Sequence, residues 1–284
     1  MKITVIGLGL IGGSIAKDLK SQLNVRVYGV DASEIHQQLA LEHGLVHEIL
    51  TLEDGLKVAD IVIMAIPVDK IEGILSNILD QINENTTVID VGSTKSDICV
   101  SISLHPKRSR FVAAHPLAGT EFSGPTAALK GLFQNKKNII TEPEKSADDA
   151  LESALKVFES LGMVTTFMTP EEHDKHLAYV SHLSHVSSFM LGLTVLDIEK
   201  DEKQIFNLAG TGFESTVRLA KSNPKTWSAI FGKNKKYLLE ALDSYILHLE
   251  NFRHHIRENN TAETERLMTK SNDIKRILNN KNIV

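Results

Sequence analysis

The segment Gly-Leu-Gly-Leu-Ile-Gly at residues 7–12 follows a short apolar run, residues 2–6, which has the pattern of a β-strand. The glycine segment leads into a predicted helix at residues 14–22. A second predicted strand, residues 25–30, is followed by Asp31. This order of strand, glycine turn, helix, strand and acidic residue is typical of a dinucleotide-binding unit. The alternative, a glycine turn in another α/β fold, fits the context less well.

The glycines of this segment have different physical tasks. Gly7 permits a tight turn, Gly9 lets the backbone approach a pyrophosphate, and Gly12 lets the helix pack close to the strand. Free N–H groups at the start of the helix, near Leu10 and Ile11, are expected to bind the phosphate.

The acidic residue after the second strand indicates which dinucleotide binds. The Asp31 carboxylate can accept hydrogen bonds from the adenosine ribose hydroxyls, and it would repel a 2′-phosphate. Ala32 and Ser33 follow, and neither supplies the arginine that an NADP site needs. The sequence therefore favours NAD as the cofactor.

The rest of the first half continues the alternation of strand and helix. Strands are predicted at residues 60–66, 87–91 and 111–114, and helices at residues 35–43 and 71–81. Alternation at this spacing predicts βαβ units in a mostly parallel, Rossmann-type sheet. In such α/β sheets, ligands bind at the carboxyl ends of the strands.

Three strand ends are therefore expected to face the cofactor or the substrate. Ile66 and Pro67 close one strand and form either a wall of the cofactor site or a simple turn. Ser93 follows the next strand, and His115 ends the one after it. Because the unperturbed pKa of histidine is near neutrality, His115 is a candidate acid–base group. The alternative is a packed histidine fixed by Pro116.

The second half of the chain predicts an all-helical domain, since no strand-like run follows residue 168 or so. Helices are expected at residues 170–199, 202–221, 224–258 and 262–279. We place the two domains at residues 1–166 and 167–284.

The first of these helices indicates a homodimer. One of its sides carries Leu177 and Leu191, and the opposite side carries Val186 and Phe189. A helix that is apolar on both sides is buried on both sides, which is hard to satisfy within one small helical domain. A partner subunit would cover the second side. The alternative is that the other three helices surround it.

Composition limits the classes of function. The net charge is −5, from 31 basic and 36 acidic residues, so no basic field is present to hold nucleic acid or an anionic membrane. The longest apolar stretch, residues 61–68, is too short to cross a bilayer. A single cysteine, Cys99, rules out an internal disulfide and favours the cytoplasm. The apolar N-terminus could be read as a signal peptide, but its glycines and the strand pattern beyond it disfavour that interpretation.

Several motifs follow one another along the chain. The glycine segment precedes Asp-Val-Gly-Ser-Thr-Lys at residues 90–95 and His-Pro-Leu-Ala-Gly-Thr-Glu at residues 115–121. Ser-His-Leu-Ser-His at residues 181–185 and an arginine segment at residues 212–227 come next. In this order and spacing the motifs resemble the prephenate/arogenate dehydrogenase family, over nearly the whole chain.

The resemblance implies an oxidoreductase that decarboxylates prephenate to 4-hydroxyphenylpyruvate with NAD, in tyrosine biosynthesis. His115 would accept the proton of the ring hydroxyl, and Ser93 would orient His115 and the nicotinamide ribose. Arg218 would hold a substrate carboxylate in a bidentate pair. Two alternatives stay open, namely the same chemistry on arogenate and a non-catalytic module that senses the dinucleotide.

The resemblance also implies a substrate pocket. The residues expected to bind substrate are Thr120, Glu121, His182, His185, Arg218 and Trp227. Glu121 would pair with a basic residue at the pocket mouth, and the segment around Asp174 would close that mouth from the other subunit. Buried structural roles are the alternative for His182 and His185.

No metal site is expected, although the first long helix is rich in histidine. The histidines concerned are His173, His176, His182 and His185. On one continuous helix they cannot converge on one ion. The chain also departs from the family pattern at Ser184, where Pro is common, and at residues 214–215, where an Asp is usual.

Overall fold

The computed structural model describes residues 1–21, 25–200 and 205–280. Its strands are β1 (Lys2–Ile6), β2 (Arg26–Val30), β3 (Glu48–Ile49), β4 (Ile61–Met64), β5 (Thr87–Asp90), β6 (Phe111–Pro116), β7 (Lys137–Thr141) and β8 (Val164–Met168). They form one sheet in the order β3-β2-β1-β4-β5-β6-β7-β8. Every neighbouring pair is parallel except β6 and β7. The predicted α/β class with a mostly parallel sheet is therefore confirmed.

Helices connect most of the strands and form the part of the chain that follows β8. The first six are α1 (Leu10–Lys20), α2 (Glu34–Glu42), α3 (Leu52–Val58), α4 (Val68–Gln81), α5 (Ser96–Ser101) and α6 (Asp148–Ser160). The helical half holds α7 (Pro170–Leu177), α8 (Leu183–Glu199), α9 (Thr211–Val217), α10 (Pro224–Lys233), α11 (Lys235–Arg257), α12 (Thr261–Ser271) and α13 (Ile274–Asn280). One π-helical turn, Ala178–His182, joins α7 to α8.

The sheet is buried on both faces, and β4 shows why. Successive side chains of a strand point to opposite faces, and all four residues of β4 are buried. Ile61 and Ile63 belong to one hydrophobic core, whereas Val62 and Met64 belong to the other. A continuous apolar run is what a strand between two helical layers requires.

Three of the predicted long helices are wrong as single helices. The one expected at residues 262–279 divides into α12 and α13, with a turn at residues 272–273. Of residues 202–221, the first three lie outside the described residues, and the remainder contains α9 between 3₁₀ turns at Ile205–Leu208 and Arg218–Lys221. The helix expected at residues 224–258 breaks at Asn234, where α10 ends. The buried Asn234 amide is used in tertiary hydrogen bonds instead.

The chain divides into two compact units, residues 1–235 and 236–284. The predicted domain boundary at residues 166–167 lies inside the first unit and stays a prediction. The first unit holds the sheet and all of the predicted site residues. Among the helices that the structure describes, none is long and apolar enough to span a membrane.

Helix α8 leaves much of its apolar surface uncovered in the single chain. Met190, Leu193, Leu196 and Ile198 are each about half exposed, at 50–52%. In the second unit, α11 likewise exposes apolar side chains, among them Leu247 at 64%.

Candidate active site

The glycine turn at the end of β1 has the geometry of a phosphate site. Gly7 has a φ of +91°, and a Cβ there would lie 2.5 Å from the carbonyl oxygen of Ala65. A Cβ on Gly12 would lie 1.9 Å from the carbonyl oxygen of Gly7. A Cβ on Gly9, by contrast, would meet no described atom within 4 Å. The turn is thus closed on the protein side at Gly7 and Gly12 and open at Gly9.

Helix α1 begins directly after this turn, earlier than the sequence pattern predicted. Gly9 is its N-cap, and no described side chain caps its first turn. The N–H groups near Leu10 and Ile11 therefore face the open space without a side-chain acceptor. A helix start of this kind fits the pyrophosphate of a dinucleotide.

Asp31, which follows β2, is held beside the glycine turn. Its Oδ2 accepts a hydrogen bond from the N–H of Leu8 at 2.8 Å, and its Oδ1 accepts one from the N–H of Ser33 at 2.9 Å. Each carboxylate oxygen has a second lone pair, so the fixed carboxylate can still accept ribose hydroxyls. These residues fit NAD.

Ile66 and Pro67, which lie just beyond β4, occupy different surroundings. The Ile66 side chain lies next to the glycine turn, since its Cγ2 would be 3.0 Å from a Cβ on Gly7. Pro67 is exposed and caps the start of α4. Ile66 therefore has the position expected of a residue in the wall of the cofactor site, and Pro67 has that of a turn residue.

His115, at the end of β6, begins a chain of hydrogen bonds that leads into the interior. Its Nδ1 lies 2.8 Å from Nε2 of His173, and Nδ1 of His173 lies 2.8 Å from Oδ1 of Asp174. The N–H groups of Lys95 and Ser96 each donate to the Asp174 carboxylate at 2.8 Å. His173 is fully buried and Asp174 is 1% exposed.

This series of hydrogen bonds changes one expectation and leaves another as a prediction. In the described part of the chain, the hydrogen-bond partner of the His115 ring is His173, and no hydrogen bond joins Ser93 to that ring. Ser93 nevertheless lies half-buried in the loop between β5 and α5. Asp174 itself is buried and its carboxylate is bound within its own chain, and the closing of the pocket mouth by the surrounding segment of the other subunit stays a prediction.

A second charged pair lies behind the strand ends. The Lys95 ammonium and the Asp90 carboxylate form an ion pair, and both side chains are fully buried. Asp90 also accepts the N–H of Gly92 at 2.8 Å. Sequence reasoning missed this pair, although a lysine five residues beyond a buried strand that ends in Asp90 was a signal for it.

Burial sets the protonation of these groups. It lowers the pKa of His115 well below its ordinary value, and the positive charges of His173, when protonated, and of Lys95 lower it further. Burial also lowers the pKa of His173, against the opposing effect of Asp174. For Asp174, burial opposes ionisation, but hydrogen bonds from His173 and Ser96 outweigh it and lower the pKa. Near neutral pH, both histidines are therefore neutral and Asp174 is ionised.

His182 and His185 both contact the ring of Trp227. The His185 ring stacks on Trp227 with a centroid distance of 3.3 Å, and the His182 ring meets Trp227 edge-on at 6.0 Å. The His182 side chain is buried, and its Nδ1 accepts a hydrogen bond from Asn234 at 3.0 Å. Burial lowers the pKa of His182 to about 4. His182 thus has the structural environment of the alternative interpretation, whereas half-buried His185 keeps an accessible side.

Arg218 and Glu121 form an ion pair. The sequence predicts a basic partner for Glu121 but does not identify which residue it is. The Arg218 guanidinium lies 3.7 Å from Oε2 of Glu121, and the Arg218 side chain is 54% exposed. Its positive charge is close enough to add to the burial that lowers the pKa of His185. An adjacent cavity of about 630 Å³ is lined by Thr120, Glu121, Phe122, Lys221, Ser222 and Asn223, among others.

Among the described residues, no three His, Cys, Asp or Glu side chains are arranged to hold a metal ion. The site residues instead belong to two groups within the first unit. The glycine turn, Asp31 and Ile66 suit a dinucleotide, and the histidines with Arg218 suit an anionic substrate.

Comparisons with known proteins agree with this geometry. Residues 15–167 match the model "Prephenate dehydrogenase, nucleotide-binding domain", and residues 169–270 match "Prephenate dehydrogenase, dimerization domain". Prephenate dehydrogenase of Bacillus subtilis is 30% identical over 279 residues, which are 96% of this chain and 75% of that protein.

Two solved structures are similar over nearly their whole length. Prephenate dehydrogenase from A. aeolicus, in complex with hydroxyphenyl propionate and NAD+, is 31% identical with a TM-score of 0.87, covering 98% of this chain and 97% of that one. Synechocystis arogenate dehydrogenase is 30% identical with a TM-score of 0.77, covering 98% and 100%. This chain belongs to the prephenate dehydrogenase family, an oxidoreductase family that uses NAD.

Proposed function

We propose that this protein is a prephenate dehydrogenase of tyrosine biosynthesis. It would convert prephenate and NAD to 4-hydroxyphenylpyruvate, carbon dioxide and reduced cofactor. The observation that carries the proposal is His115, a neutral histidine at the carboxyl end of β6 with Nδ1 bound internally. The similar A. aeolicus enzyme, in complex with hydroxyphenyl propionate and NAD+, supports it.

His115 serves as the general base in the proposed reaction. When bound beside the glycine turn and Asp31, NAD would supply the acceptor for the hydride that leaves the carbon bearing the hydroxyl. As charge develops on the hydroxyl oxygen, Nε2 of His115 accepts its proton, so an O–H bond breaks and an N–H bond forms. The carbon–carboxylate bond then breaks, its electron pair completes the aromatic ring, and the proton returns to the phenolic oxygen. Aromatisation drives the reaction forward.

Arg218 is proposed to bind a substrate carboxylate. Among the described residues, its exposed guanidinium has an ion pair only with Glu121, at 3.7 Å, which leaves N–H donors for a bidentate pair. Glu121 and Thr120 line the adjacent cavity, where Glu121 holds the guanidinium in place before substrate binds. The carboxylate of the substrate would then compete with Glu121 for Arg218.

The stacked pair of His185 and Trp227 is proposed as a wall for the substrate ring. Nδ1 of His185 donates to the carbonyl oxygen of Ser181 at 3.0 Å, so its Nε2 is the acceptor that remains for substrate. His182 supports this wall from the interior through its edge-on contact with Trp227. Ser93 is proposed to contact the nicotinamide ribose from the loop after β5.

The protein is further proposed to act as a cytoplasmic homodimer, with domains at residues 1–166 and 167–284. The match of residues 169–270 to a dimerization domain and the half-exposed apolar side chains of α8 support this assembly. Light scattering on the purified chain tests it. A mass near 63 kDa, about twice the 31.4 kDa of one chain, is expected, and a mass near 31 kDa would reject it.

The absorbance of reduced cofactor tests the function directly. Purified protein is mixed with prephenate or arogenate, each with NAD or NADP, in parallel. Turnover of prephenate with NAD is expected. Turnover with arogenate alone would assign the substrate of the similar Synechocystis enzyme to this protein. Silence in every mixture from a folded protein that binds NAD would reject the catalytic function.

A further inference from the structure

His115, His173 and Asp174 form a hydrogen-bonded series whose direction follows from the chemistry of its end. Asp174 is ionised, so both of its oxygens only accept hydrogen bonds. Oδ2 accepts the N–H of Ser96, and Oδ1 accepts the N–H of Lys95. Oδ1 lies 2.8 Å from Nδ1 of His173, which must therefore carry a hydrogen.

The donor and acceptor roles of the next two ring nitrogens follow from this hydrogen. A neutral histidine has one N–H and one lone pair, so Nε2 of His173 is an acceptor. Nδ1 of His115, 2.8 Å away, must then donate to it. The lone pair of His115 is consequently on Nε2, the nitrogen that remains for a ligand.

The start of α7 holds His173 in this position. Thr169 and Glu172 form a capping box, and Pro170 occupies the first helical position. The N–H of His173 donates to the carbonyl oxygen of Thr169 at 3.0 Å. His173 is fully buried, so its ring cannot turn to other partners without opening the helix start.

We propose that His173, anchored by Asp174, is a positioning residue that fixes His115 in the Nδ1–H tautomer and so keeps Nε2 free to accept the substrate proton. The inference rests on the proposed function, in which His115 is the base. The other charged or titratable groups facing the series are Lys95 with Asp90, after β5, and His182 on the π-helical turn. None of these three accepts a hydrogen bond from either ring in the structure as described.

A matched pair of variants at one position separates positioning from structural support. His173→Gln places an amide oxygen near the former Nε2, so it keeps an acceptor for His115 and loses the contact with Asp174. His173→Asn places its amide near the former Nδ1, so it keeps the Asp174 contact and loses the acceptor. For orienting groups of this kind, losses of roughly 10- to 100-fold are usual, and loss of tautomer control can cost more.

The expected result is that kcat falls by about 10- to 100-fold in His173→Asn, with the KM for prephenate unchanged. His173→Gln is expected to recover most of that loss. His176→Gln, at an exposed position of the same helix, is expected to leave kcat unchanged. If Asn supports turnover as well as Gln does, His173 is a structural residue and the proposal is overturned.

Ring ¹⁵N chemical shifts provide a test that needs no turnover. In histidine-labelled protein, the His115 signals are assigned by their loss in His115→Asn. A protonated Nδ1 and an unprotonated Nε2 are expected in the unaltered protein, and a shift towards the Nε2–H form in His173→Asn. Protonated Nε2 in the unaltered protein would overturn the tautomer assignment. The expected shifts in a protein that oxidises neither prephenate nor arogenate would reject only the proposed function.

Discussion

At the scale of single residues, replacing His115 with Asn removes the proposed base and keeps a hydrogen-bond donor for His173. Loss of a general base typically lowers a rate by about 10²- to 10⁴-fold, so kcat should fall in that range. NAD affinity, measured by calorimetry, should stay within about twofold because the glycine turn is untouched. His254→Asn, at an exposed position on α11, is the control. Undiminished kcat in His115→Asn would exclude His115 as the base.

Asp31 provides a second test at this scale, on the choice of cofactor. Asp31→Asn removes the charge that repels a 2′-phosphate while keeping one oxygen that can accept the N–H of Leu8. The ratio of kcat/KM with NAD to that with NADP should fall by roughly tenfold or more, because charges a few ångströms apart interact by one to several kcal/mol. Glu34→Gln removes a neighbouring exposed charge and should leave the ratio unchanged. An unchanged ratio in Asp31→Asn would reject the role of Asp31.

Local patterns carried the prediction of some site residues but not of others. Gly7, Gly9, Gly12 and Asp31 lie within one βαβ unit, where spacing alone fixes their geometry. The contact between His115 and His173 joins residues 58 positions apart, on β6 and α7. Periodicity reports which face a residue occupies and not which distant partner it meets, so this pairing could not be predicted.

At the scale of secondary structure elements, the same limit decides which elements were predicted. The buried strand β4 is a run of apolar residues and was predicted. Strand β8 is partly exposed, has two threonines in its centre and gives no such run. The end of α10 at Asn234 was missed although Gly232 lies two residues before it, and tertiary hydrogen bonds from Asn234 to Asp174 and His182 hold this end in place.

The first helix offers a test that separates packing from binding. Gly12→Ala would place a Cβ 1.9 Å from the carbonyl oxygen of Gly7, so α1 must move. Overpacking of this kind typically costs about 1–3 kcal/mol of unfolding free energy. Gly9→Ala faces open space and should leave stability unchanged. The added methyl should instead raise the Kd for NAD at least tenfold, since it occupies the space assigned to the pyrophosphate, roughly 1.4 kcal/mol of affinity.

Thermal unfolding and calorimetric titration of both variants check this pair of expectations. Gly12→Ala should unfold at a lower temperature than the unaltered protein, and Gly9→Ala should unfold at the same temperature. Full NAD affinity in Gly9→Ala would show that the cofactor does not approach the start of α1.

At the scale of the whole molecule, three histidines, of which His173 and His182 are buried and His115 is half-buried, link folding to pH. Burial lowers the pKa values of His115, His173 and His182, in the last case to about 4. Unfolding returns each of them to an ordinary value near 6.5. Between these limits the unfolded chain binds protons that the folded chain does not, so stability is complete above pH 6.5 and is lost as the pH falls towards 4.

The expected size of this effect follows from the number of protons. Each histidine contributes up to about 1.4 kcal/mol of unfolding free energy per pH unit, so the slope for the three together is at most about 4 kcal/mol per unit. Urea unfolding at pH 7.5, 6.5, 5.5 and 4.5 measures it. His182→Asn keeps an acceptor for Asn234 and removes one titrating group, so the slope of its stability against pH should be lower by about 1.4 kcal/mol per unit. The control, His43→Gln at an exposed position, should keep the full slope. Stability that is flat or rises from pH 6.5 to 4.5 would show that folding does not lower these pKa values, and it would contradict this expectation.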